Sequence, residues 1–261
     1  MKIGKCIERG RTAEVYEWGK HQVLKLYHEK LSVDAEVENS KLINRIGILS
    51  PVLVGTTNIG SRQGILYERV DGINMMNLIE SERASLSYYA HILAEIHTLV
   101  HSYRVNLKSN LKWVLEQKIS KIVTLDFTQK KFIMNVLSEL PDGMAICHYD
   151  FHPDNIIISS KGPVIIDWEN TLVGSPLADV TRTSLILRSH ALPPKDCPHW
   201  IQDRSSRLFF HDMYLNEYLK LNNLDTTEFN AWELPTAAVR LAEGIPSEER
   251  QLFVLLRKAL C

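Results

Sequence analysis

The chain has little cysteine, and what it has is scattered. Cys6, Cys147, Cys197 and Cys261 form no Cys-x-x-Cys pair and no zinc-ligand spacing. That excludes a disulfide framework and a cysteine-built metal centre. The four read as free thiols, with Cys147 a small buried residue. No apolar run approaches the roughly 20 residues that a membrane helix needs. The opening residues Met1 to Arg9 lack the apolar stretch of a signal peptide, so a cytoplasmic protein is expected. Charge of one sign is also missing: 30 Lys plus Arg stand against 31 Asp plus Glu, which removes the basic face of a nucleic-acid binder. There is no repeat and no low-complexity tract. The glycine-rich phosphate loops Gly-x-x-x-x-Gly-Lys-Ser/Thr and Gly-x-Gly-x-x-Gly do not occur. What remains is 261 residues, 45% of them hydrophobic, enough for two lobes and a sizeable core.

Strand signals fill the first part of the chain. Residues 14–18 and 21–27 cluster β-formers around Gly19-Lys20 and predict a hairpin. A helix is predicted from Val33 to Ile46, with Val33, Val37, Ser40 and Ile43 on one face; Gly47 ends it and Pro51 forbids its resumption. Two more strands are expected near 52–57 and 63–67, and Asp71-Gly72 is expected to break the chain. The pattern then turns helical. Leu86, Ala90, Leu93, Ile96, His97 and Val100 form an apolar stripe at helical spacing. Helices are predicted over 111–123, 129–140, 206–221 and 247–260, the last with Ser247 as its N-cap. Trp18, Trp113, Trp200 and Trp232 read as core or pocket wall. Strands first and helices later predict an α+β protein: a small β-rich lobe over 1–70 and a larger, mainly helical lobe over 71–261.

One stretch carries chemistry. His148-Tyr149-Asp150-Phe151-His152-Pro153-Asp154-Asn155 precedes the apolar run Ile156-Ile157-Ile158, and Ile165-Ile166-Asp167-Trp168-Glu169 follows. Asp150 and Asn155 are five apart. A kinase catalytic loop uses that separation to aim a carboxylate at the acceptor hydroxyl and an amide oxygen at magnesium. Asp167 ends a buried-strand pattern, where its carboxylate can reach a second side of the same ion; hard oxygen ligands suit magnesium. Loop carboxylates are commonplace singly, but two Asp and one Asn flanking two apolar runs are not. His148 and His152 also allow a metallohydrolase reading, with zinc, manganese or iron held beside Asp150 and Asp167. That reading leaves Lys25 and Asn155 without a use. Lys25, inside a strand, is either a solvent-facing residue of the alternation or a phosphate ligand that needs a carboxylate on the next helix. Glu36 shares the helix face of Ser40 and Ile43, and Glu38 does not. Gly10-Arg11-Thr12 reads alone as a hairpin turn, though its backbone and the Thr12 hydroxyl could cover phosphates.

Taken together, Lys25, Glu36, the loop from His148 to Asn155 and Ile166-Asp167-Trp168-Glu169 resemble the aminoglycoside phosphotransferase and choline kinase-like group, small-molecule relatives of protein kinases. Leu93-Ala94-Glu95-Ile96-His97 is similar to the helix before that family's insert. The resemblance covers about residues 8 to 187 and implies a bilobal protein kinase-like fold that uses ATP or GTP with Mg2+. It implies that Asp150 orients and deprotonates an acceptor hydroxyl, that Asn155 and Asp167 hold magnesium, and that Lys25 holds phosphates, positioned by Glu36. It also implies a hinge in which the backbone of Glu68 and Val70 pairs with the base. Tyr149 stands where the family commonly has Gly, as does Asp154.

The acceptor is the least legible part. An aminoglycoside is a polycation and calls for an acidic pocket. From His199 onward there are nine acidic residues against seven Lys plus Arg, so the balance is not strongly acidic. A small-molecule hydroxyl acceptor is expected, with a sugar, an amino alcohol or a homoserine-like molecule all open. Asp203, Asp212, Glu233 and Glu243 are candidates to meet a cationic one. A non-catalytic nucleotide-binding regulatory module is the reading from another class.

Overall fold

The computed structural model describes residues 3–105, 110–191 and 197–260; Cys261 lies outside them. Contacts divide the chain into two compact units. One is Met1–Met75 with Asp154–Asn170, the other Met76–Pro153 with Thr171–Cys261.

The first unit is built on one antiparallel sheet. Its strands are β1 (Cys6–Arg9), β2 (Ala13–Trp18), β3 (Gln22–Tyr27), β4 (Leu53–Ile59) and β5 (Arg62–Glu68), in the order β1-β2-β3-β5-β4. The expected hairpin is β2–β3: Trp18 faces Gln22, and Gly19 at φ +67° closes the turn. Lys25 sits mid-sheet, opposite Val15 on one side and Ile65 on the other. Helix α1 (Asp34–Ile46) buries Glu36, Ser40 and Ile43 and ends at Gly47, whose φ of +83° is a left-handed cap. Ala13, Tyr27, Val33, Ile65 and Tyr67 form an apolar cluster in this unit.

A second sheet, of order β6-β8-β9, completes the unit with β6 (Gly72–Asn74), β8 (Ile156–Ser159) and β9 (Gly162–Ile165). Gly72, read from sequence as a break, instead opens β6 opposite Ser159. A Cβ there would stand 2.6 Å from Ile157 Cγ2 and from the Ile158 oxygen, so the glycine serves a close approach of two strands.

The second unit is mainly helical. The short α2 (Met75–Leu78) leads to α3 (Arg83–Ser102), α4 (Leu111–Ser120) and α5 (Phe127–Glu139). A two-stranded pair, β7 (Ala145–Cys147) with β10 (Leu172–Gly174), precedes α6 (Pro176–Leu187). Then come α7 (His199–Gln202), α8 (Arg204–Leu221), α9 (Thr226–Ala231), α10 (Glu233–Leu241) and α11 (Pro246–Leu260). Every member of the α3 stripe is buried, and α3 packs along α8. Helix α6 buries ten of its twelve residues, polar ones included, which makes it an interior helix rather than an amphipathic one.

Two local expectations fail. Helix α11 begins at Pro246, so Ser247 lies inside it rather than at its cap; proline suits a first helical turn because its missing N–H has no partner there anyway. Trp113 is 60% exposed on α4, while Trp200 and Trp232 are buried. Among the described residues, no helix is long and apolar enough to cross a membrane.

Candidate active site

The first unit gathers charge around Lys25. Alternation along β3 puts Val23, Lys25 and Tyr27 on one face of the sheet. Lys25 Nζ donates to Glu36 Oε2 at 2.7 Å and to Asp167 Oδ1 at 2.7 Å. Glu36, only 2% exposed, also accepts from the hydroxyls of Tyr27 and Tyr67, the latter at 2.9 Å. Glu38 points to solvent and pairs with Lys41. Burial pushes the Lys25 ammonium toward neutrality, but Glu36 and Asp167 more than offset this and hold its pKa well above the usual lysine value. Glu36 thus fixes the strand lysine, and the lysine fixes Asp167.

Asp167 follows β9 with φ +63°, a left-handed conformation that Asp tolerates better than most side chains. A one-turn 3-10 helix, Trp168–Asn170, holds the segment in place. Trp168 Nε1 donates back to the Ile165 oxygen at 3.0 Å, and Asn39 Nδ2 of α1 donates to the oxygens of Trp168 and Glu169. Glu169 received no role from sequence, yet its carboxylate lies within 4.8 Å of those of Glu36 and Asp167. Burial raises its pKa, and the neighbouring carboxylates add to the effect. Thr12 acts on Glu169 in the opposite sense, pulling its pKa down, which sets Thr12 beside this carboxylate group. The signal was a second acid two residues after Asp167.

Asn155 is buried at the end of the turn Pro153–Asn155, and its oxygen accepts from Ile166 N at 3.0 Å, tying the two motif segments together. Asn74 Nδ2 donates to Asp154 O at 2.5 Å and to Asp154 Oδ1 at 3.0 Å, so Asp154 braces the loop. At the expected hinge, the Glu68 amide donates to the Val52 oxygen and the Arg69 amide to the His21 oxygen. Val70 lies between β5 and β6, where among the described residues its amide has no backbone acceptor.

The second unit holds Asp150 by a separate set of contacts. Tyr149 adopts φ +61° with its ring buried. Its amide donates to Asp179 Oδ1 at 2.9 Å, its oxygen accepts from Arg182 Nε, and the Arg182 guanidinium lies 4.9 Å over its ring. A left-handed turn suits glycine best, and the contacts from α6 hold the tyrosine in it. Asp150 N donates to His148 Nδ1 at 3.3 Å. Its carboxylate lies 3.6 Å from Arg182 and 3.7 Å from His152. Burial pushes the Asp150 carboxyl up, but the hydrogen bond and charge of His152, with Arg182 and His148, hold it well below the usual carboxylate range. Arg182 also pairs with Glu243, which Arg240 holds from its other side at 2.8 Å.

Asp179 and Arg182 were missed from sequence. They are the two charged residues of α6 and stand one turn apart, and that spacing was the available signal. Asp179 is fully buried and meets Nε2 of His97 and of His101, each at 3.2 Å. These histidines pair through Nδ1 with the hydroxyls of Tyr214 and Tyr218, each at 2.7 Å. The His97 ring stacks on Phe151, with centroids 3.9 Å apart, and so braces the loop that carries Asp150. Among the described residues, the clusters of possible metal ligands are His97, His101, Asp179 and Glu36, Asp167, Glu169; neither contains His148 or His152.

The acids considered for a cationic acceptor are engaged. Asp203 caps α8 through the amides of Ser205 and Ser206, Asp212 pairs with His211, Glu233 with Arg188, and Glu243 with Arg182 and Arg240.

Comparison with known proteins bears on the whole chain. An aminoglycoside phosphotransferase APH(4)-Ia variant, solved as a ternary complex with ADP and hygromycin B, superposes with TM-score 0.68 at 10% identity, over 98% of this chain and 93% of that one. A choline/ethanolamine kinase family protein from Mesorhizobium loti gives 0.63 at 14% identity, over 99% and 87%. A choline kinase from Cryptosporidium parvum Iowa II gives 0.57 at 14% identity, over 99% and 88%. At these identities the likeness establishes a shared kinase-like fold. No curated protein matches the sequence. The phosphotransferase enzyme family matches residues 5–213, and the chain belongs to that family.

Proposed function

We propose that the protein transfers the γ-phosphoryl group of ATP or GTP to a hydroxyl of a small molecule. The observation that carries this is Lys25 shared between Glu36 and Asp167, each at 2.7 Å. A strand lysine fixed by a helix carboxylate is the arrangement that grips nucleotide phosphates. The relative solved with ADP and hygromycin B supports a nucleotide donor and a small-molecule acceptor.

Asp150 receives the acceptor hydroxyl, accepts its hydrogen bond and takes its proton as the new O–P bond forms and the bond to the leaving nucleoside diphosphate breaks. A carboxylate with so low a pKa is a weak base. That suits a loose transition state, in which the nucleophile needs orientation more than prior deprotonation. Arg182 keeps the carboxylate ionised and fixed. Lys25 holds donor phosphates, Thr12 lies by them, and the base pairs with the Glu68 carbonyl and the Val70 amide.

Magnesium fits the residues present. Glu36, Asp167 and Glu169 bring three carboxylates together around one ammonium, a local excess of two negative charges. Asp167 and Asn155 would hold the ion, and it would neutralise phosphate oxygens.

The test is an acceptor screen with ATP and GTP that reads nucleoside diphosphate release above the no-acceptor background. Asp150→Asn should lower turnover by at least about 10²-fold while nucleotide affinity stays within a factor of about two. Nucleotide binding with no phosphorylated product across a broad panel would instead favour a regulatory module.

A further inference from the structure

We propose that the acceptor bound beside Asp150 carries an acidic group, a carboxylate or a phosphate, and that Lys118 receives it. This rests on the phosphotransferase reading above, with Asp150 at the acceptor hydroxyl.

The first observation is what surrounds Asp150. Two basic side chains stand against its carboxylate, Arg182 at 3.6 Å and His152 at 3.7 Å, and the charge of His148 adds to theirs. The second is the state of the neighbouring acids. Glu243 is held between Arg182 and Arg240, Glu248 by Arg240 and Ser189, and Asp179 by two histidines. An amine on the acceptor would have to take one of these carboxylates from a buried partner, leaving an arginine or histidine uncompensated. A polycation therefore has no ready counter-charge among them.

The third observation is Lys118. It lies in the last turn of α4, a helix that packs on α10 just before Glu243. The charges of Arg182 and Glu243 both act on its ammonium, and its own charge acts on Glu243. It is part-buried, and its ammonium makes no ion pair and no hydrogen bond among the described residues. Burial and then Arg182 oppose its charge, and Glu243, already held by Arg182 and Arg240, offsets them only in part. A part-buried ammonium beside a guanidinium is completed by an anion. A carboxylate or phosphate on the acceptor would supply that charge and anchor the molecule by a group other than the reacting hydroxyl, which orients it.

The experiment uses the full chain with magnesium and ATP and compares acceptors on one skeleton: gluconate, glucose, glucosamine and glucose 6-phosphate, with glycerate and glycerol as a smaller set. The expected result is a kcat/KM for acidic members about 10- to 100-fold above that of neutral and amine members, the range of one charge-assisted contact. Lys118→Met should erase that preference through KM and leave the neutral members unchanged; Lys118→Arg should retain it. Gluconate against glucose 6-phosphate separates a carboxylate from a phosphate. Preference for the amine, or an equal effect of Lys118→Met on every acceptor, overturns the proposal. Thermal stability of the ADP–magnesium form with each compound gives a readout independent of turnover. Stabilisation by the acids that Lys118→Met removes supports the site even if no transfer occurs, in which case the proposed reaction fails and the anion site stands. No stabilisation by any acid, together with no acid preference in turnover, sinks it.

Discussion

Tyr149 occupies a backbone conformation that costs a bulky residue roughly 1–3 kcal/mol, and three contacts from α6 hold it there. Its hydroxyl is buried and has no hydrogen-bond partner among the described residues. Tyr149→Phe should therefore be neutral to stabilising, by up to about 1 kcal/mol in urea unfolding, because it removes a desolvated donor and keeps the ring under the guanidinium. A clear loss of stability would mean that the hydroxyl is satisfied. Under the proposed reaction Arg182 acts through Asp150 and is a positioning residue. Since the folded Asp150 pKa is depressed, its carboxylate stays ionised through mildly acidic pH, and its contribution to stability is present above the unfolded value of about 4 and lost as pH falls through the folded one. Arg182→Met should raise that pKa, move the acid limb of the pH–rate profile upward and lower kcat while nucleotide KM holds. An unmoved limb with lower stability would make Arg182 merely structural. Asp150 was legible because its motif is local in sequence. Arg182 was not, because it lies 32 positions away and its role exists only once α6 is packed.

Among the elements, β3 and α1 carry the strongest local coupling. The helix face chosen from Val33, Ser40 and Ile43 singled out Glu36 over Glu38, and the ion pair follows from that face. Lys25→Met leaves Glu36 buried with two tyrosine hydroxyls as its partners among the described residues. It should cost about 3 kcal/mol in chemical denaturation and abolish transfer; a smaller cost would show that the hydroxyls suffice. Helix α5 offers a contrast. Asp126 and Gln129 form a capping box there, on the surface. Asp126→Ala should cost about 1 kcal/mol with kcat unchanged, since α5 carries none of the residues given a role in transfer. Element boundaries were less legible than element faces. Ser247 looked like a cap, but Pro246 starts the helix, because capping is decided by backbone geometry that composition only biases.

For the molecule as a whole, the interior of the second unit depends on buried charge. Asp179 holds the loop through Tyr149 and is itself matched by His97 and His101 from α3, each backed by a tyrosine of α8. Burial, with some repulsion from His101, pulls the His97 pKa down to about 3. Below its unfolded value of about 6.5 the unfolded chain binds the proton that folded His97 refuses, so stability falls as pH drops from there toward 3. Urea unfolding at pH 7 and pH 5 should show the loss, and His97→Gln should be less stable at pH 7 yet flatter between the two. An equal slope would place the acid sensitivity elsewhere. The acceptor was illegible in sequence for a related reason. Nine acids and seven bases toward the end of the chain say nothing until it is known which are already paired.

By itself the sequence determined which residues form the motif, which face of α1 carries the carboxylate, and that strands precede helices. These depend on spacing, periodicity and turn chemistry, all short-range. Only the tertiary structure decided that Glu169 joins Glu36 and Asp167, that Asp179 and Arg182 hold the loop of Asp150, and that Asp203, Asp212, Glu233 and Glu243 are spent on arginine, histidine and a helix cap. A charge acquires its meaning from its partners and its burial. Both are set by parts of the chain far apart in sequence, brought together only when the apolar faces pack.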